Sequence, residues 1–312
     1  MAEGTTGRRT LGDAAARQLA NTTKTIVQTP IITPRWLPRL LSWVPVEAGT
    51  YRVNRAKATD TAVAVVCSQK GEQEIPTSFV DYVEKPREYT LSSIKSVLGV
   101  HTRVSDLYSQ PHDQIKEQLR LTIENLKERQ EHELLHNADY GLLKNAAPSM
   151  RFPTRGGAPT PDDLDELLAR VWKEPAFFLA HPRAIAAFGR ECTRRGVPPP
   201  TAMMFGCPFL TWRGVPLVPS DKLPVSGDKA GAKTSILLLR TGEAKQGVVG
   251  LFQPGLAGEQ APGLSVRFMG IDNTSIASYL ISLYCSAAVL TEDALGVLEN
   301  VVVDAYHDYK WP

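Results

Sequence analysis

Cysteine is scarce in this chain of 312 residues: Cys67, Cys192, Cys207 and Cys285 lie far apart and form no C-x-x-C pair. Such spacing excludes a disulfide framework and a structural zinc site. It points to a reducing cytoplasm in which each thiol is a small buried side chain. Long apolar runs are missing too. Nowhere does the chain offer the roughly 18 consecutive apolar residues that a spanning helix needs, so no transmembrane segment is expected. Excess charge of either sign is also absent, with 35 Lys and Arg against 33 Asp and Glu and a net charge of +2. That balance gives no whole-chain drive toward polyanions. Basic residues are not interleaved with aromatics either, so nucleic acid is not an expected partner. Leu11-Gly-Asp-Ala follows the Arg8-Arg9 pair where an export signal would turn apolar, so none is read.

Signatures of catalysis and nucleotide binding are equally thin. Gly247-Val-Val-Gly-Leu-Phe-Gln-Pro-Gly lacks the Gly-Lys-Ser/Thr ending of a phosphate loop and reads as turn and packing glycines. His101, His112, His181 and His307 are scattered, and no Ser/His/Asp pattern emerges, so the chain is read as no enzyme, with no catalytic residue and no cofactor. One motif resists this. His132-Glu133-Leu-Leu-His136 is a literal H-E-x-x-H, which would set two imidazoles on one helical face with Glu133 as general base and Glu166 as a conceivable third ligand. A zinc hydrolase is therefore the enzymatic alternative. Against it, the preceding turn Lys127-Glu-Arg-Gln-Glu is strongly polar, and Asn137-Ala-Asp-Tyr-Gly stands where a further ligand should follow. The preferred reading is the solvated end of a strut helix.

What the chain does have is 43% hydrophobic residues, ample for a core, distributed in segments that change period along the sequence. Residues Leu11 to Lys24 predict a short helix, and Ile26 to Thr33 an extended stretch held by Pro30 and Pro34. Trp36, Leu37, Leu40, Leu41 and Val44 then recur at helical spacing in a segment that Pro45 ends. So short an element cannot bury its stripe alone, which predicts an arm that docks on a neighbouring subunit through Leu11, Leu19, Trp36, Leu37, Leu40, Leu41 and Trp43. A membrane-surface anchor is the alternative, disfavoured by its shortness and by Pro38.

From Thr50 the period becomes two, through Tyr51, Val53, Ala62 to Cys67 and Phe79 to Tyr89, which predicts a long projecting β-hairpin in need of a partner surface. Pro111 to His136 predicts a long helix of about 39 Å, with a narrow stripe of Ile115, Leu119, Ile123, Leu126 and Leu134. Ala146 to Thr160 reads as a linker, and Pro161-Asp-Asp-Leu opens another helix. A mixed α/β region with strands near Leu210 to Trp212, Leu217 to Val218 and Ile236 to Leu239 follows. Ser278 to Leu290 reads as a late strand.

Arm, projecting hairpin, strut helix, α/β lobe and returning strand stand in the order of parts of Hong Kong 97-type phage capsid proteins. Asp13-Ala-Ala-Ala-Arg-Gln-Leu-Ala-Asn, Ile32-Thr-Pro-Arg-Trp-Leu, Trp43-Val-Pro-Val-Glu-Ala-Gly, His101-Thr-Arg-Val-Ser-Asp-Leu-Tyr and the block from Phe252 to Gly270 carry a finer likeness. In these blocks the sequence resembles family 2A encapsulin shell proteins. The likeness implies an α+β, Hong Kong 97-type fold with an N-terminal arm (1–45), an extended β-hairpin loop (46–100), a peripheral domain with a long spine helix (101–145 and 264–312) and an axial α/β domain (146–263).

The resemblance further implies a cytoplasmic nanocompartment of about sixty copies of one chain in an icosahedron. Relatives enclose a cysteine desulfurase, which ties the shell to sulfur metabolism or storage. No inserted cyclic-nucleotide-binding domain is visible. Family members have also been called major membrane protein I, which keeps a peripheral membrane role as an alternative. By analogy, the loop from Arg194 to Phe205, with Arg194, Arg195, Pro198, Pro199 and Pro200, would sit at the tip of the axial lobe. There it would line a pore, and the arginines would favour small anions.

Overall fold

The computed structural model describes residues 12–21, 32–54, 81–227 and 231–307. Helix α1 (Asp13–Asn21) packs near the start of the strut and is followed, past 22–31, by the one-turn helix α2 (Trp36–Leu40). Helical spacing predicted a single element to Val44, but the chain turns extended at Leu41 and becomes strand β1 (Ser42–Pro45). Pro38 leaves α2 only one turn, and Trp43 closes the corner by donating its indole N–H to the Pro38 carbonyl at 2.8 Å. Strands β2 (Thr50–Val53) and β3 (Arg87–Thr90) pair antiparallel with Tyr51 opposite Tyr89, which gives the predicted hairpin its base. The expected strand Ala62 to Cys67 lies outside the described residues.

Next come strand β4 (Ser92–His101), helix α3 (Thr102–Tyr108) and the strut α4 (Gln114–His136). The strut starts at Asp113, later than the expected Pro111, because the Asp113 carboxylate accepts the Lys116 N–H at 3.0 Å and caps the first turn. Its 23 residues extend about 35 Å. Helix α5 (Leu142–Asn145) and strand β5 (Arg151–Pro153) follow. The region read as a linker is thus stitched down: β5 pairs parallel with a late strand, and Arg151 binds the carbonyls of Leu143 and Ala146 and the carboxylate of Glu299. Helix α6 (Pro161–Arg170) opens with a capping box in which Thr160 and Asp163 satisfy each other's backbone N–H groups.

The remaining elements are strand β6 (Phe177–Ala180), helix α7 (Pro182–Arg194), strands β7 (Thr201–Met204), β8 (Cys207–Trp212), β9 (Val215–Pro219), β10 (Lys233–Leu239), β11 (Val248–Phe252), β12 (Glu259–Ala261) and β13 (Leu264–Ile271), then the 14-residue β14 (Ile276–Val289) and β15 (Leu295–Val302). They form two large sheets. One runs β1-β11-β14-β13-β12, with β4 also paired to the long β14; the other runs β5-β15-β10-β6-β9-β8-β7.

In the first sheet, Ile281, Leu283 and Cys285 alternate toward α4 and meet Leu119, Ile123 and Leu126, each fully buried aliphatic contributing about 2 kcal/mol. In the second, α6 and α7 cover one face with Leu164, Leu167 and Phe188 packed on Phe178, Leu238 and Leu298. Both sheets draw on segments far apart in the chain: Ser92–His101 and Val248–Phe252 belong to the first, and Leu295–Val302 crosses into the second. Strand pairing is non-local, so no composition change along the chain marks these crossings.

Candidate assembly site

The arm is fastened to the strut by a row of carboxylates. Glu124, Glu128 and Glu131 recur at spacings of four and three, which places them on one face of α4. Arg35 reaches Glu124 at 2.6 Å and Glu128 at 3.3 Å. Glu128 also accepts the Thr33 N–H at 2.8 Å and hydroxyl at 3.0 Å, and binds the Lys222 ammonium at 2.9 Å. Glu131 accepts the Leu37 N–H and the Ser220 hydroxyl, both at 3.3 Å. Arg35 holds φ of 50°, a left-handed conformation costly for a residue with a Cβ, and these bonds keep it there. Burial pushes the Glu131 carboxyl up to about 7, against the Leu37 N–H and Lys222.

Of the residues expected to dock on a neighbour, Trp36, Leu37 and Leu41 are buried in their own chain. Trp36 stacks edge-on to Phe209 at 5.2 Å, and Leu37 and Leu41 join a core with Leu134, Leu135 and Val289. These three are therefore covered without a second subunit, because α4 and β8 supply the surface they lack locally. Leu40 and Trp43 remain half-buried. Leu11 and the side chain of Leu19 lie outside the described residues. Beside the arm, Arg35, Arg39, Lys127, Trp43, Phe252 and Leu283 help to line an open cavity of about 360 Å³.

The H-E-x-x-H residues fasten the end of the strut. His132 and His136 stack with centroids 4.5 Å apart, and His136 donates Nε2–H to the Lys222 carbonyl at 2.6 Å. Glu133 pairs with Arg129 at 2.6 Å and accepts the Asn137 amide at 2.8 Å. Glu166 is engaged by Arg155 and Arg170 on α6. No group of three His, Cys, Asp or Glu that could hold a metal forms among the described residues. Burial holds His132 below the usual imidazole range, helped by the neighbouring His136.

Arg194 and Arg195 carry less free charge than expected. Arg194 pairs with Glu191 at 3.2 Å, and Arg195 with Asp162 at 3.5 Å and Glu191 at 3.7 Å. Pro198, Pro199 and Pro200 lead into β7, where the Pro200 carbonyl accepts the Thr211 N–H at 2.8 Å. Phe205, at the far end of this stretch, lies 5.4 Å from Trp36. The far end of this segment thus meets the arm.

A protein-family model described as type 2A encapsulin shell protein SrpI-like matches residues 49–305. The type 2A encapsulin shell protein SrpI of Synechococcus elongatus is 66% identical over 301 residues, covering 96% of this chain and 97% of that protein. The chain belongs to the type 2A encapsulin shell proteins. This encapsulin superposes on the cryo-electron microscopy structure of the holo-SrpI encapsulin complex of that organism with a TM-score of 0.83 at 64% identity, over 96% of this chain and 99% of that one. The capsid protein of a native GTA particle, 14% identical, shares the fold with a TM-score of 0.59 over 90% of this chain and 94% of that one. The fold is the Hong Kong 97 capsid type, and the encapsulin subunit's role is structural: it associates with copies of itself as the shell of a nanocompartment. No described helix is long and apolar enough to cross a membrane.

Proposed function

We propose that this encapsulin subunit closes, with about sixty copies of itself, into an icosahedral cytoplasmic shell that encloses a cysteine desulfurase and serves sulfur metabolism or storage. The single observation that carries the reading is the near-complete superposition on the SrpI shell subunit. A one-component shell with strict icosahedral symmetry places sixty chains in equivalent environments. The cargo follows from the family resemblance, and the cysteines of this chain fit a reducing compartment.

In this shell the arm contributes Leu11, Leu19, Leu40 and Trp43 to neighbouring subunits, while Trp36, Leu37 and Leu41 act through the subunit core. The hairpin rooted at Thr50–Val53 and Arg87–Thr90 reaches across to a neighbour, and the Arg194 to Pro200 turn borders a pore. Negative-stain microscopy of the purified protein tests the shell: uniform hollow particles are expected, and discrete monomers or dimers at micromolar concentration contradict it. Co-expression with a cysteine desulfurase tests the cargo, through co-sedimentation with the particles and protection from added protease. Empty particles beside free desulfurase would remove the cargo and leave the shell.

A further inference from the structure

We propose that the contact between the Thr33–Leu37 segment and α4 is a proton-operated clasp with Glu131 as its titrating member: neutral Glu131 holds the segment down, and ionised Glu131 loosens it. The geometry points there because the two cations facing this seat are already committed. Arg35 is bound by Glu124 and Glu128, and Lys222 by Glu128 and Asp221, at distances from 2.6 to 3.3 Å. Glu131, only 1% exposed, is left with two neutral donors at the long distance of 3.3 Å. Two like charges, Glu128 and Asp221, face it. A cavity of about 320 Å³, bounded by Thr33, Pro34, Arg35, Pro182 and Asp221, lies against the carboxyl, so a small lift of the segment admits water to it.

The direction follows from linkage. With the segment seated, burial pushes the carboxyl up to about 7; once the segment lifts, the solvated carboxyl returns toward its ordinary value near 4.5. The seated state binds the proton more tightly, so the clasp is firmest below about pH 4.5, slackens as pH rises to about 7, and is level above.

Three histidines pack near the seat. His136 binds the Lys222 carbonyl with His132 stacked on its ring, and His181, at the start of α7, feels Asp221. Burial holds His132 and His181 low, so their protonation opposes that of Glu131 and acts at the acid end of the range. Any bearing on shell integrity rests on the arm's proposed role in assembly; the clasp itself does not.

Amide hydrogen exchange of the purified full-length protein, followed by mass spectrometry and corrected for intrinsic exchange rates, tests the clasp whatever its assembly state. Protection of the peptide containing Leu37 should fall roughly fiftyfold between pH 5 and pH 7.5. Glu131→Gln, neutral at every pH and still able to accept the Leu37 N–H, should keep the acid-level protection throughout. Ser220→Ala removes a donor to the carboxylate and should move the midpoint to higher pH, and His132→Gln should leave it in place. Flat protection in the unmodified protein, an unchanged profile in Glu131→Gln, or loss of the transition in His132→Gln overturns the proposal. Should Glu131→Gln not fold, an unmoved midpoint in Ser220→Ala does so.

Discussion

Arg240 and Asp293 join two of the three passages by which the chain crosses between its large sheets. Arg240 follows β10 where the chain leaves the second sheet, Asp293 follows β14 where it returns, and their side chains meet at 3.2 and 2.8 Å. The guanidinium, 2% exposed, also donates to Thr291 at 2.7 Å. Asp293→Ala leaves this buried cation without its carboxylate and should cost about 3 kcal/mol, lowering the thermal midpoint by several degrees. Arg240 holds the Asp293 carboxyl well below the usual carboxylate range. The contribution is thus complete above the ordinary Asp value and is lost only in stronger acid. An unchanged midpoint in Asp293→Ala contradicts this account.

Gly250→Ala should unseat β1. Gly250 pairs with Trp43 across β1 and β11, and a Cβ there would stand 2.6 Å from the indole ring, which the Pro38 carbonyl holds in place. A rigid ring cannot yield that far, so the clash should cost about 2 kcal/mol. Trypsin should then cut after Arg39 faster than in the unmodified protein. Equal cleavage rates with an intact shell would show that the strand shifts without penalty.

Metal analysis of the purified protein should find no stoichiometric zinc, since His136 is tied to the Lys222 carbonyl and Glu133 to Arg129. His136→Ala should instead cost about 1 kcal/mol of stability by leaving that carbonyl unpaired. One zinc per chain, lost in His132→Ala together with a hydrolytic activity, would reverse this reading.

Neutralising both loop arginines, as Arg194→Gln with Arg195→Gln, should alter permeation of small anions relative to cations by less than about twofold, because Glu191 and Asp162 already balance their charge. A stopped-flow assay with an encapsulated indicator reads this directly. A large, anion-selective change would show that the guanidinium groups select anions at the pore despite these partners.

Removing Met1 to Lys24 deletes α1, which packs near α3 and α4, and should reduce the yield of closed particles severalfold while leaving soluble subunits. Particle counts by microscopy against total protein decide it. Intact shells at normal yield would exclude α1 from assembly.

Local order was legible in the sequence wherever one residue type dictates one geometry. The Asp and Pro at the start of α6, the period-two hairpin base and the alternating β14 were all readable from position alone. The seat of the arm was not. Glu124, Glu128 and Glu131 read as a solvated face because their partners, Thr33, Arg35 and Lys222, lie about 90 residues away in sequence. A face of three acids beside an apolar stripe was the available sign, and three acids on a strut with few lysines between them is a weak one. The same non-locality hid the division into sheets, and family likeness rather than periodicity supplied the fold.

Strand β1 finds its partner late. Among the described residues Ser42–Pro45 pairs only with Val248–Phe252, which in turn pairs with Cys285–Val289 on its other side. A ribosome adding about 5–20 residues per second spends roughly 10 to 40 seconds between making the first strand and the second. Throughout that interval a nascent chain cannot seat its own β1, however many finished subunits surround it. The last-made third of the chain thereby decides when its first strand can be placed.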